Sequence, residues 1–313
     1  DVTPLRDLFK SSDVIKVFHS CAEDLEVLKN WIGIIPTPIF DTQIAASLLG
    51  IGFMLSYSNL VKEICSIELK KTETRSDWFQ RPLTEAQVTY AVEDVYYLNS
   101  VWRNLMEKSD HDAKTDWILS DGEVLVEDLK NAHESDHLRI SGGRNLSRLQ
   151  LSGLHELSTW RESQAKFRDL PRRWIIDDKT CLRLLEIFPC SEKTLRSIEG
   201  LPVVLKDKYG KEIVDIFKQC QAKTDLELPQ LAGGSLNADS RKHVKSLKSL
   251  TREIAQKLRT VPEILIRSRD YPLLLDICDG VGEEIPNYWN GWRKELVIQP
   301  LQRHLCYMRA QKN

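Results

Sequence analysis

Val14-Ile-Lys-Val-Phe18, running straight into His19-Ser-Cys-Ala-Glu-Asp24, does most to limit the folds open to this chain. Five residues rich in β-branched and aromatic side chains read as a short buried strand. Leu25, Val27, Leu28 and Trp31 then recur at helical spacing until Gly33 stops the helix. A strand feeding a helix in this way predicts an α/β layer. It places the first helical turn at the carboxyl edge of the sheet, where sites in open α/β sheets lie. Asp24 falls on that turn. Glu23 and Glu26 beside it read as solvated carboxylates favoured by the helix dipole. Pro36–Asp41 is a second extended piece. Asp41 or Thr42 caps the helix through Leu49 that Gly50 ends, so Asp41 reads as a cap rather than a ligand. Ser58 is the expected cap of the following helix.

Thr84–Ser100, TEAQVTYAVEDVYYLNS, reads as one amphipathic helix. Thr84 and Gln87 form a capping box. Val88, Ala91, Val92, Val95 and Leu98 take the spacing of a buried face. Tyr90 and Asp94, four apart, lie on one side of the helix, a phenol one turn before a carboxylate. The loop before it, KKTETRSDWFQRPL, mixes cations, among them Arg75 and Arg81, with Trp78 and Phe79. Such interleaving suits single-stranded nucleic acid, where bases stack and phosphates pair. It suits equally a loop pinned by one buried tryptophan.

No apolar run approaches the ~20 residues that cross a bilayer, and Asp1-Val-Thr-Pro-Leu-Arg lacks the features of a secretory leader. The seven scattered cysteines include no Cys-x-x-Cys pair, which predicts reduced thiols and a cytoplasmic protein rather than a disulfide framework or zinc site. The net charge of −2 hides an asymmetry. Residues 1–150 carry 16 basic and 24 acidic side chains, residues 151–313 carry 28 and 22. An acidic half beside a basic half suits a metal-binding catalytic domain joined to modules that hold a polyanion.

Beyond residue 110 the pattern is helical. Ser141–Arg144 and Ala222–Ser240 read as joints. The turn RDLPRRW follows a helix over Leu151–Phe167, and Asp177 or Asp178 caps the next. Basic residues 241, 242, 245, 248 and 252 recur over three turns of the final segment, a solvated face or a phosphate-facing stripe.

Four blocks in order, VFHSCAEDLEVL, FDTQIAASLLG, RSDWFQRPLTEAQ and YAVED, resemble the ribonuclease D family, the Tyr-bearing branch of the DEDD 3′–5′ exonucleases. The resemblance implies an α/β ribonuclease H-like exonuclease domain over 1–135. Two small all-α HRDC-type domains follow, over 148–224 and, more divergent, 240–313. It implies removal of nucleotides from single-stranded RNA 3′ ends, tRNA precursors among them, with two Mg²⁺ or Mn²⁺ ions. Asp24 and Asp94 match metal-holding carboxylates, Tyr90 the residue that orients the attacking water, and Trp78, Arg81, Arg75 and His19 the substrate contacts. No Asp-x-Glu precedes Asp24, although the family's first motif has that form. The sequence is therefore expected to be N-terminally truncated, to lack the opening strands and two of the four metal carboxylates, and to be inactive as it stands. Val14–Phe18 would then form an open strand edge. The other readings are a non-catalytic nucleic-acid-binding protein working through the helical domains, and a DNA 3′–5′ exonuclease. A monomer without obligate partner or membrane is expected.

Overall fold

The computed structural model describes residues 1–69, 73, 76–130, 146–229, 237–280 and 285–311. They form two compact units: residues 1–130 with 238–278 and 284–313, and residues 131–237 with 279–283. The joint expected at Ser141–Arg144 lies outside the described residues.

The first unit opens with α1 (Thr3–Lys10), β1 (Lys16–Phe18) and α2 (Ala22–Ile32). It continues with β2 (Ile39–Asp41), α3 (Thr42–Leu48) and α4 (Tyr57–Cys65). Three further helices follow, α5 (Glu85–Tyr96), α6 (Leu98–His111) and α7 (Thr115–Lys130). β1 and β2 are parallel, with Lys16 opposite Ile39 and Phe18 opposite Asp41. Among the described residues they are the whole sheet. α7 lies across β2 at very close range: a Cβ on Gly122 would sit 2.4 Å from the Ile39 carbonyl oxygen. Only glycine permits that approach.

Local signals set several helix ends. Gly33 takes the left-handed conformation after α2 (φ 71°). Thr84 and Gln87 form the expected capping box. Three expectations are corrected. Ser56, not Ser58, precedes α4, and it makes no side-chain cap. Thr84–Ser100 is also not one helix with a buried apolar face. It breaks at Tyr97, and Val88, Val92 and Val95 are 48%, 52% and 63% exposed, leaving Gln87 as the buried residue of α5. Likewise Val27 and Trp31 of α2 face solvent, while Leu25 and Ile32 are buried.

Residues 238–278 and 285–311 belong to this same unit. They comprise α13 (Ala238–Lys257), α14 (Pro262–Leu265), α15 (Tyr271–Cys278) and α16 (Gln299–Ala310), the last entered through a π-helical turn at Lys294–Ile298. Arg293 and Asp121, 3% and 6% exposed, form a two-pronged ion pair in which Nη2 donates to Oδ2 at 2.6 Å. The guanidinium also donates to the Ile264 carbonyl (3.1 Å from Nη2) and lies 4.3 Å from the Trp292 ring centre. Trp292 in turn stacks flat on Trp117 of α7, centroids 4.4 Å apart. The carboxyl end of α3 is closed by the same segment. The Ser47 carbonyl accepts from Thr260 Oγ1 (3.0 Å) and the Val261 amide (3.3 Å), and buried Lys114 Nζ bridges the Leu48 and Arg259 carbonyls.

The second unit contains α8 (Arg148–Arg168), the short α9 (Arg172–Ile175), α10 (Asp178–Ile187), α11 (Glu192–Ser197) and α12 (Val203–Ala222). Asp177 caps α10 and Ser191 caps α11. Leu154, Leu157, Leu184, Leu185, Ile213 and Phe217 form its core. No described helix is long and apolar enough to cross a membrane, and none of the seven cysteines is in a disulfide.

Replacing Arg293 by Met leaves Asp121 buried without its counter-charge. It should cost about 3–5 kcal/mol, read from the midpoint of guanidinium unfolding. The double variant D121L/R293M, which removes both charges, should recover most of that loss.

Candidate active site

The geometry around Asp24 rests on Asp41. Its carboxylate, 2% exposed, closes β2 and serves two helices at once. One oxygen accepts from the Gln43 and Ile44 amides of α3, at 2.8 and 3.3 Å. Across the sheet the carboxylate accepts from the Ser20 and Cys21 amides, at 3.2 and 2.9 Å, immediately before α2. Asp41 is thus a cap, as its place in the sequence predicts. Its second role, fixing the entry to α2 and hence Asp24 one turn in, has no local signal.

Three influences hold the Asp24 carboxyl above the ordinary range: partial burial, then the negative charges of Glu23 and Asp41. Asp94 on α5 is raised in the same way, by burial first and then by Glu93. Each is a carboxylate whose ionised form is disfavoured until positive charge arrives.

Tyr90 sits one turn before Asp94, its ring 5.8 Å from that of Trp78. The loop carrying Trp78 is held by Gln87, whose Nε2 donates to Ser76 Oγ (3.2 Å) and the Asp77 carbonyl (2.9 Å) while its Oε1 accepts from the Thr84 amide (3.0 Å). The capping box therefore also pins the aromatic loop, a link that the spacing of Thr84 and Gln87 does not reveal. Trp78 Nε1 donates to the Glu73 carbonyl, and Arg81 donates to the Trp78 and Gln80 carbonyls. Phe79 beside them is 95% exposed. Arg75 lies outside the described residues.

His19 is engaged at both ring nitrogens, with Thr42 Oγ1 2.9 Å from Nδ1 and the Leu55 carbonyl 3.1 Å from Nε2. Burial lowers its pKa against the opposing pull of the Asp41 charge and the Leu55 carbonyl. A carbonyl can only accept, so Nε2 donates to Leu55, while the Thr42 hydroxyl beside Nδ1 donates its one hydrogen to the Phe18 carbonyl at 2.9 Å. The ring meets Tyr57 edge-on, centroids 5.5 Å apart. Burial pushes the Tyr57 phenol up to about 12, with the Tyr97 backbone opposing and the charge of Asp94 adding to it. Tyr57 thereby joins the surroundings of His19 to those of Asp94, a role not foreseen from sequence.

Asp24 and Asp94 supply the hard oxygen donors that Mg²⁺ or Mn²⁺ prefers. Among the described residues no cluster of three or more His, Cys, Asp or Glu side chains forms a complete ligand set. The carboxylate oxygens of Asp24 and of Asp94 are of the kind a divalent ion takes.

An aromatic loop beside a tyrosine, a raised carboxylate in the first turn of α2 and another in the last turn of α5 are a setting for metal-assisted phosphoryl chemistry, and comparison with known proteins specifies the class. Residues 1–110 match the 3′–5′ exonuclease family and residues 150–217 the HRDC domain. The chain is 35% identical to ribonuclease D of Pseudomonas paraeruginosa, over 96% of this chain and 81% of that protein. It is 31% identical to ribonuclease D of a Shewanella species, over 97% and 78%. The crystal structure of Escherichia coli RNase D, an exoribonuclease involved in structured RNA processing, superposes with a TM-score of 0.81 at 28% identity, covering 98% of this chain and 83% of that one.

The chain is thus a 3′–5′ exoribonuclease with an exonuclease domain followed by an HRDC domain. It belongs to the ribonuclease D family.

Replacing Asp41 by Ala strips four amides of their acceptor. Stability should fall by at least about 2 kcal/mol. Hydrogen exchange should accelerate at Ser20, Cys21, Gln43 and Ile44 ahead of the rest of the first unit.

Proposed function

We propose that Asp24, Tyr90 and Asp94 are this exoribonuclease's catalytic residues and that Asp24 and Asp94 hold divalent metal, Mg²⁺ or Mn²⁺. The observation that carries the reading is α5, which seats Tyr90 against Trp78 and presents Asp94 one turn later. Bound metal would steady the attacking water and the departing 3′ oxygen. Tyr90 would orient that water through its hydroxyl. Trp78 offers a ring to the terminal base, and Arg81 and Arg75 offer charge to its phosphates. His19, with both nitrogens spent on Thr42 and Leu55, offers its ring face and keeps the Leu55 loop in place. Single-stranded 3′ ends of structured RNA, tRNA precursors included, are the proposed substrates, trimmed in the cytoplasm by a monomer. Residues 240–313 are read as a second, divergent HRDC-type module that has become part of the catalytic unit.

Metal-dependent release of mononucleotides from an oligoadenylate is the assay: Asp94→Asn should abolish it with RNA binding intact. Unchanged activity there would remove Asp94 from the site.

A further inference from the structure

α13 carries a row of cations, three of which make no hydrogen bond, ion pair or ring contact with the exonuclease site or the core among the described residues. Arg241, Lys245, Lys248 and Arg252 are spaced by four, three and four residues. At 100° and 1.5 Å per residue they fall within an arc of about 60° and span about 16 Å along the axis. Arg241, Lys245 and Arg252 are exposed and make no ion pair among the described residues. Lys248 is half-buried, its ammonium 5.6 Å from the centre of the Tyr271 ring. The carboxylates of α13, Asp239 and Glu253, lie off this arc, and Asp239 faces Lys242 at 3.7 Å. Glu263 is the neighbouring acid, felt with Arg252 at Tyr271.

Like charges at this spacing repel and weaken a helix. The buried face, with Leu247, Thr251, Ile254 and Ala255, needs none of them. A row of cations without interleaved acids is what a regularly charged polyanion neutralises. α13 has no exposed large apolar side chain, so the face lacks the hydrophobic half by which a helix enters a membrane interface. The end of α13 leads to Thr260 and Val261, which close the carboxyl end of α3; the other end of α3 begins at Asp41, beside the entry to α2.

From this we infer that Arg241, Lys245, Lys248 and Arg252 form a phosphate track for single-stranded RNA on the catalytic unit, engaging the strand upstream of the nucleotide being removed. The inference rests on RNA being the substrate and not on the assignment of Asp94.

The test is fluorescence anisotropy of the 313-residue chain with a fluorescein-labelled oligoadenylate, metal chelated, over a range of salt. R241Q/K245Q/R252Q, with Lys248 left on Tyr271, should lower the slope of log affinity against log salt by about 2 and weaken binding roughly 30-fold near 0.1 M salt. R241K/R252K should bind as the parent does, because phosphates ask for charge rather than for a fork. The charge-matched K10Q/K108Q/K257Q should lose little. Parental affinity and slope in the first triple variant would overturn the proposal. So would an equal loss in the control triple, which would mean a general field effect. Equal thermal midpoints establish that all variants are folded. Since no trimming occurs in the assay, the failure of Asp94→Asn to abolish activity would leave this result standing.

Discussion

Four backbone amides converge on Asp41, and the catalytic half of the molecule takes its geometry from that convergence. Two belong to the start of α3 and two to the turn entering α2, so a single buried carboxylate sets both helices against the end of β2. Backbone donors at helix starts have no intrahelical partner, and meeting two such sets with one charge satisfies them without a cap on each helix. Cys21, which occupies the N-cap position of α2, makes no side-chain cap of its own. The price is a negative charge near Asp24, which helps keep that carboxyl above its usual range.

The C-terminal helices complete this scaffold. The close passage of Gly122 over the Ile39 carbonyl brings α7 onto β2, and Asp121, next in sequence, receives Arg293 from the far end of the chain. Trp117 and Trp292 exclude water beside the pair, which keeps the charges dry and makes either one costly to remove alone. With Lys114 and Thr260 closing α3 from the other side, the tail is built into the catalytic unit.

Features that depend on neighbouring residues were legible from sequence: the Gly33 stop, the Thr84–Gln87 box, Asp41 as a cap, and Tyr90 one turn before Asp94. Features that depend on distant partners were not. The apolar stripe of α5 has a buried-face period, yet Val88, Val92 and Val95 are exposed, because periodicity reports which residues share a side and not whether anything covers it. Gln87 looked complete as a capping residue, while its amide group also fastens the Trp78 loop. Arg293 and Asp121 are 172 positions apart, and nothing local to either marks it as half of a pair.

Arg148 has a consequence for how the chain is assembled. Its guanidinium donates to the carbonyls of Asp225, Leu228 (2.8 Å) and Pro229 (3.1 Å), tying the entrance of the second unit to its exit. The first unit is discontinuous, with its two parts separated by residues 131–237. Closing so long a connection across a loose chain carries an entropic cost that grows with the logarithm of its length, about 0.6 kcal/mol per doubling. Within the second unit the Arg148 bonds join residue 148 to residues 225–229, so once they form the connection is shorter by most of that span. The number of residues in the intervening helices then adds little to the entropic cost of closing the first unit.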